Sequence, residues 1–207
     1  MPGRFWLFTA AAWLAVGSIA GCKERGDSGT RSGEAVTPAD TGQAEPANEA
    51  AGASGRLTDP NIVALLDEAN KADSAAGAYA LGKASNPEVK AFAKLMMGEH
   101  HALRAAGQQL AKKLNVTPQP PPDDPLQPAA QSEMAALRAA PKGPQFDRTY
   151  IDQEVAAHKL VLDLVDKAHD QANNEELKTL IEQAKPVIEK HRDMAEEIQK
   201  KLGKAAA

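Results

Sequence analysis

The fold is decided by the stretch FDRTYIDQEVAAHKLVLDLV, residues 146–165. Its apolar side chains recur in steps of three and four, a spacing that places them on one side of an α-helix. That inner side consists of Ile151, Val155, His158, Leu162 and Val165. His158 is its one polar member, so this helix is predicted to bury an imidazole together with its aliphatic side chains.

The same spacing extends outward to three more long segments. Together the pattern predicts helices at about 59–84, 87–114, 145–171 and 175–203. No segment has the period-two alternation of a strand, so the predicted class is all-α. Two helical hairpins joined by a long connection predict an up-down four-helix bundle. A short extra helix is predicted over 132–140, in the middle connection, lying across one end of the bundle.

Prolines beside capping residues mark where the helices begin. Asp59 precedes Pro60, and Ser85 or Asn86 precedes Pro87, as in a cap followed by proline at the first helical position. A coiled-coil rod would show the same apolar seam. The prolines and the short hairpin turns favour the bundle instead.

Polar residues interrupt the inner stripe of all four long helices. His100 and His191 correspond to His158, and Asp73 takes the equivalent place in the first helix. Counting from the hairpin turns at about 1.5 Å per residue puts Asp73 level with His100. The same count puts His158 within about one turn of His191. The four residues are therefore predicted to meet near the middle of the bundle.

Imidazole and carboxylate groups are good ligands for first-row divalent metals. Three histidines and Asp73 could form a closed tetrahedral site, with Glu99 and Glu154 as supporting groups around it. Any cofactor predicted here is a divalent metal such as zinc or iron. The alternative is a structural layer in which each histidine pairs with a carboxylate or a backbone carbonyl.

The chain begins like an exported protein. Arg4 precedes an apolar run over residues 5–20, which is typical of a secretory signal at 1–21. A membrane-spanning helix is the alternative, but the run is short for the about 20 residues that a span needs. The sequence Ile19-Ala20-Gly21-Cys22 resembles a bacterial lipobox, which implies cleavage before Cys22 and lipid on that residue. Lys23 then favours the outer membrane, by resemblance to Gram-negative sorting rules.

Residues 22–56 are rich in small and polar side chains, which predicts a flexible, disordered linker between the lipid and the domain. The bundle is predicted to occupy 57–203, with a disordered tail at 204–207. The 207-residue chain has a net charge of −4 and no basic stripe, so nucleic acid is not an expected partner. The expected partners are the membrane, through the lipid anchor, and an unidentified protein or small molecule.

Three pieces of the chain resemble domain-of-unknown-function family 4142: SNPEVKAFAKLMMGEHH, FDRTYIDQEVAAHKLVLDLV and KPVIEKHRDMA. The resemblance covers about 58–202, at matching positions Met96, His100, Phe146, Asp147, Tyr150, His158, Pro186 and His191. It implies an exported bacterial protein with a ferritin-like helical bundle, often labelled an outer membrane protein, and no established activity. Ferritins use Glu-x-x-His on their helices. This chain has no such motif, which argues against ferroxidase chemistry.

Two functions remain open from the sequence. The favoured one is a lipid-anchored binding or interaction module of the periplasm-facing cell envelope, with a structural polar layer. The alternative is a metal-binding ferritin-like protein or metal-dependent enzyme. The chain has no Ser-His-Asp arrangement, phosphate loop or cysteine nucleophile, so no catalytic residue is predicted and a non-enzymatic role is favoured.

Overall fold

The computed structural model describes residues 55–204, which form five α-helices and contain no strand. The helices are α1 (Asp59–Lys83), α2 (Pro87–Lys113), α3 (Leu126–Ala139), α4 (Pro144–Gln171) and α5 (Glu175–Lys204). The all-α prediction is confirmed. The predicted signal peptide, Cys22 and all but the last two residues of the predicted linker lie outside the described residues.

Side chains close the helix starts much as the sequence predicts, with one shift. The cap of α1 is Thr58, whose hydroxyl accepts a hydrogen bond from the Asn61 N–H, so Asp59 is already helical. Asn86 caps α2 by accepting from the next N–H groups, and Asn174 does the same at the start of α5. Each cap satisfies backbone donors that a helix start leaves unpaired.

The long helices pack as two hairpins. α1 lies mainly against α2, and α4 mainly against α5; the hairpins meet through contacts of α2 with α5 and of α1 with α4. Gly77 allows α1 to approach α2 closely, because a Cβ atom at this position would lie 2.7 Å from the Ala93 carbonyl oxygen. Any side chain here would push the two backbones apart.

A buried carboxylate joins the two hairpins at one end of the bundle. Asp147, near the start of α4, is 1% exposed. It accepts hydrogen bonds from the backbone N–H of Ser85 at 2.8 Å, from the backbone N–H of Asn86 at 2.9 Å, and from the Ser85 hydroxyl. The short connection between α1 and α2 is therefore held against α4.

The prediction for α3 was wrong in its start and its position. The helix begins at Leu126, and it lies along α1 and α4 rather than across a bundle end. Pro128 does not prevent the earlier start, because it lies in the first turn, where a backbone N–H would have no helical partner anyway. Asp124 accepts a hydrogen bond from the Leu126 N–H at 2.8 Å and secures that turn.

The core consists of two apolar clusters. The first surrounds Phe92, Phe146 and Tyr150, and the second surrounds Ile62 and Ile181. On each long helix, a buried polar residue lies between the side chains of the first cluster and those of the second. Among residues 55–204, no helix is both long and apolar enough to cross a membrane.

Candidate functional site

A layer of buried polar side chains separates the two apolar clusters. We call it the polar layer: Asp73, His100, Glu133, Glu154, His158 and His191. None of these residues is more than 5% exposed. The four residues that the inner stripes predicted all belong to it. Buried polar groups are normally hydrogen-bonded, so their partners decide whether the layer is structural.

The three histidines, from α2, α4 and α5, face one another. Their ring centroids lie 5.6 Å apart for His100 and His158, 5.2 Å for His100 and His191, and 5.5 Å for His158 and His191. One ring nitrogen of each lies within 4.8 Å of the others. The offset of one turn that residue counting predicted between His158 and His191 does not separate the rings.

One nitrogen of each ring is directed at an oxygen atom. His158 Nδ1 lies 2.9 Å from the Glu154 carbonyl oxygen, and His191 Nε2 lies 2.7 Å from the Glu99 carboxylate. Carbonyl and carboxylate oxygens only accept hydrogen bonds. These two ring nitrogens must therefore carry the proton and donate.

The same holds for His100. Its Nδ1 lies 3.0 Å from Asn70 Oδ1 and 3.5 Å from Asp73 Oδ2. The Asn70 amide can only be oriented with its oxygen toward the ring, because its Nδ2 donates to the Leu66 carbonyl at 2.7 Å. His100 Nδ1 is thus also a donor.

In a neutral ring the second nitrogen then holds a lone pair. These atoms are His100 Nε2, His158 Nε2 and His191 Nδ1, and each is buried without a hydrogen-bond partner among the described residues. Burial lowers the pKa of His191 to about 4, although its hydrogen bond to Glu99 opposes the shift. Burial also lowers the pKa of His100, against the opposing charge of Asp73. At neutral pH these two rings are uncharged and their lone pairs are free to bind.

A second group of possible ligands overlaps the first. Asp73, Glu154 and His158 also place one ligand atom each within 4.8 Å of one another. Glu154 is fully buried, and neither of its carboxylate oxygens has a hydrogen-bond partner among the described residues. Burial, then the nearby charges of Asp73 and Glu133, raise the pKa of Glu154 well above its usual range.

The structure shows contacts between the predicted residues that the sequence did not predict. Asp73 lies at the nitrogen of His100 that Asn70 also contacts, so it belongs to the second group rather than among the three lone pairs. Glu99 bonds to His191 on α5 and not to its neighbour His100. Glu154 orients His158 through its backbone carbonyl, while its side chain joins Asp73.

Sequence reasoning missed Glu133. This residue of α3 is 5% exposed, and burial, followed by the charge of Asp73, raises its pKa to about 8. The pattern that identified the histidines, a polar residue within an apolar helical stripe, also occurs at Glu133. Because α3 was predicted to begin at residue 132, the stripe that includes Leu126 was too short to be recognised.

Two cavities reach the polar layer, and Asp73 lines both of them. One of about 260 Å³ is lined mainly by apolar side chains of the long helices, and His100 and His158 form part of its wall. The other, of about 250 Å³, lies between α1, α3 and α4, and its lining includes Asp73 and Glu133. The buried polar groups therefore have paths by which a small ion could reach them.

The family model for a domain of unknown function (DUF4142) matches residues 42–198. The chain belongs to the DUF4142 family. This confirms the resemblance that the sequence motifs indicated, and the match includes every residue of the polar layer. Among curated proteins and solved structures, none matches the chain. The DUF4142 name assigns no activity, so the function has to be argued from the site itself.

Proposed function

We propose that this DUF4142 protein binds a divalent transition-metal ion through His100, His158 and His191. The observation that supports the proposal is the meeting of three buried imidazole rings from three helices. Each ring places one nitrogen within 4.8 Å of the others, and each has one nitrogen without a hydrogen-bond partner among the described residues. Leaving one buried polar atom unsatisfied costs about 1–3 kcal/mol. Three such atoms at one place are a poor arrangement for a structural layer, and one metal ion would satisfy all three.

Water is a weaker explanation for the same atoms. A neutral imidazole lone pair only accepts a hydrogen bond, and one water molecule has two protons to donate. A single water would therefore leave one of the three nitrogens unsatisfied. A metal ion accepts electron pairs from all three, and imidazole suits zinc, copper, iron and nickel.

The groups behind the histidines also fit a metal site. Histidine ligands usually donate a hydrogen bond from their other N–H to a carboxylate or carbonyl. This contact fixes the ring and makes its lone pair a better ligand for the metal. Here the acceptors are Glu99 for His191, Asn70 for His100 and the Glu154 carbonyl for His158. Three protein ligands leave a further coordination position, as in metal sites that bind an external molecule. The cavity of about 260 Å³ beside His100 and His158 has room for one.

The proposal includes a ferritin-like arrangement of the long helices and a place for the protein in the cell envelope. Two hairpins that meet through α2 with α5 and α1 with α4, with polar residues at mid-length, are consistent with that arrangement. The lipobox-like sequence at Cys22 supports a lipid anchor that holds the bundle on the periplasmic side of the outer membrane. The protein or small molecule that meets the bundle there is not identified by the site.

The experiment is zinc binding by the full chain, purified in detergent and stripped of metal with a chelator. The first equivalent of Zn²⁺ should bind in competition with a chromogenic chelator. His100→Ala, His158→Ala and His191→Ala should each weaken it about a hundredfold or more. His101→Ala is the matched control, because His101 is exposed beside His100 and should have no effect.

A wild-type chain that takes up no stoichiometric zinc would refute the metal site. So would equal loss of affinity in His101→Ala and His100→Ala. Circular dichroism of each variant separates loss of the ligand from loss of the fold.

A further inference from the structure

Three carboxyl groups of the polar layer are not used by the three-histidine site. They are Asp73 on α1, Glu133 on α3 and Glu154 on α4, and we call them the acidic group. Asp73 and Glu154 place ligand oxygens within 4.8 Å of each other and of a His158 nitrogen. Glu133 lines the cavity of about 250 Å³ together with Asp73. Glu133 is outside the 4.8 Å group formed by Asp73, Glu154 and His158, and it is connected to that group through the cavity that it shares with Asp73.

The acidic group lacks the partners that buried carboxylates normally have. Among the described residues, no lysine or arginine forms an ion pair with any of the three. Asp73 and Glu154 each lie only 3.5 Å from a histidine Nδ1, that of His100 and that of His158. Both oxygens of Glu154 and one oxygen of Glu133 are buried without a hydrogen-bond partner. A buried charge is costly unless it is paired or coordinates a metal. The group must therefore hold protons or a cation.

We propose that Asp73 and Glu154 hold a second divalent cation, next to the ion of the three-histidine site, with Glu133 as a supporting carboxylate in the cavity that it shares with Asp73. Carboxylate oxygens suit Mg²⁺, Ca²⁺ and Mn²⁺, whereas imidazole suits the later transition metals. Among these ions Mn²⁺ can be followed directly in solution, and it serves as the probe. This site gives α3 a role beyond packing, because α3 supplies Glu133. It does not depend on occupation of the three-histidine site.

Manganese binding to the zinc-loaded chain tests the proposal. The full chain in detergent is stripped of metal, given one equivalent of Zn²⁺ and titrated with Mn²⁺, and free Mn²⁺ is followed by its electron paramagnetic resonance signal. The wild-type chain should bind one Mn²⁺ in addition to zinc. Glu133→Gln keeps the side-chain shape and should weaken Mn²⁺ binding at least about tenfold, with zinc retained.

Two further variants make the result specific. Glu154→Gln should abolish Mn²⁺ binding, because it removes a carboxylate from the centre of the group but leaves the backbone carbonyl that orients His158. Glu197→Gln removes an exposed carboxylate of α5 and should change nothing. His191→Ala should weaken zinc binding and leave the effect of Glu133→Gln on Mn²⁺ in place. The two metal proposals can thus fail separately.

The proposal is overturned if the wild-type chain binds no Mn²⁺ beyond the level of Glu154→Gln. It is also overturned if Glu133→Gln and Glu197→Gln bind Mn²⁺ equally well. The first outcome would mean that the acidic group holds no cation, and the second that Glu133 has no part in holding one.

Discussion

Helix α4 carries two buried carboxyl groups, two helical turns apart, whose surroundings are opposite. Asp147 receives three hydrogen bonds, from two backbone N–H groups and one hydroxyl of the connection between α1 and α2. Glu154 is equally buried, but neither of its carboxylate oxygens makes a well-formed hydrogen bond among the described residues, and the one donor that influences its pKa is the Tyr150 hydroxyl. One helix therefore contains both a satisfied structural carboxylate and one that lacks a partner.

The difference shows how burial should be interpreted. Burial alone marks both residues, and both interrupt an apolar stripe. The number of donors around the oxygens is what separates them, because a satisfied group contributes to the fold and an unsatisfied one weakens it. Unsatisfied groups that persist together, as in the polar layer, are candidates for a ligand site.

The largest expected effect is that of Asp147→Ala. The change leaves two backbone N–H groups and a hydroxyl without their acceptor, and should cost about 3 kcal/mol or more of unfolding free energy. Denaturant unfolding measures it. Asp163→Ala, an exposed carboxylate on the same helix, should stay within about 0.5 kcal/mol of wild type. Equal costs for both variants would contradict the structural role of Asp147.

Glu133→Gln should have the opposite sign in metal-free protein. Burial raises the pKa of Glu133 from the ordinary glutamate value of 4.5 to about 8 in the folded chain, so the unfolded chain loses its proton first as pH rises. Stability is therefore lost as the pH rises from about 4.5 to about 8. Glutamine cannot ionise, and should raise stability by as much as a few kcal/mol at pH 8 and by less than about 1 kcal/mol at pH 5.

Urea unfolding of the chelated protein at the two pH values is the measurement. A variant that is less stable than wild type at pH 8 would show that Glu133 is ionised and paired in the folded chain. Glu133 would then be a paired structural carboxylate, like Asp147, and not an unpartnered one, like Glu154.

Glu99→Ala should weaken zinc binding by about tenfold, since it removes the acceptor that orients His191. The effect is smaller than that of losing a ligand, because all three lone pairs remain. Glu99→Gln should retain part of the affinity, because its amide oxygen can still accept from the ring. If Glu99→Ala bound zinc as tightly as wild type, the orienting role would be wrong.

The smallest effect is expected from removing residues 1–54. The three donors to Asp147 and the residues of the polar layer all lie within residues 55–204. A chain that begins at Gly55 should unfold cooperatively within about 0.5 kcal/mol of the full chain and bind the same metals. Loss of helical circular dichroism in this chain would show that the earlier residues stabilise the bundle.

Much of the fold could be predicted because the sequence patterns of a helix are local. The spacing of Ile151, Val155 and Leu162 and the caps at Asn86 and Asn174 depend on neighbours within one or two turns. The start of α3 could not be found in this way. Its position depends on a groove between α1 and α4 that exists only when the hairpins have packed.

The candidate site also has one part that local sequence patterns predict and another that depends on packing. By itself, the sequence determined that Asp73, His100, His158 and His191 lie at one depth of four helices, because the period of a helix and the length of a hairpin turn set that depth. Only the tertiary structure decided which nitrogen of each ring has a partner, that Glu99 serves His191, and that Glu133 joins the acidic group. The physical reason is that hydrogen-bond partners come from helices distant in sequence, whose rotation and separation are set by packing.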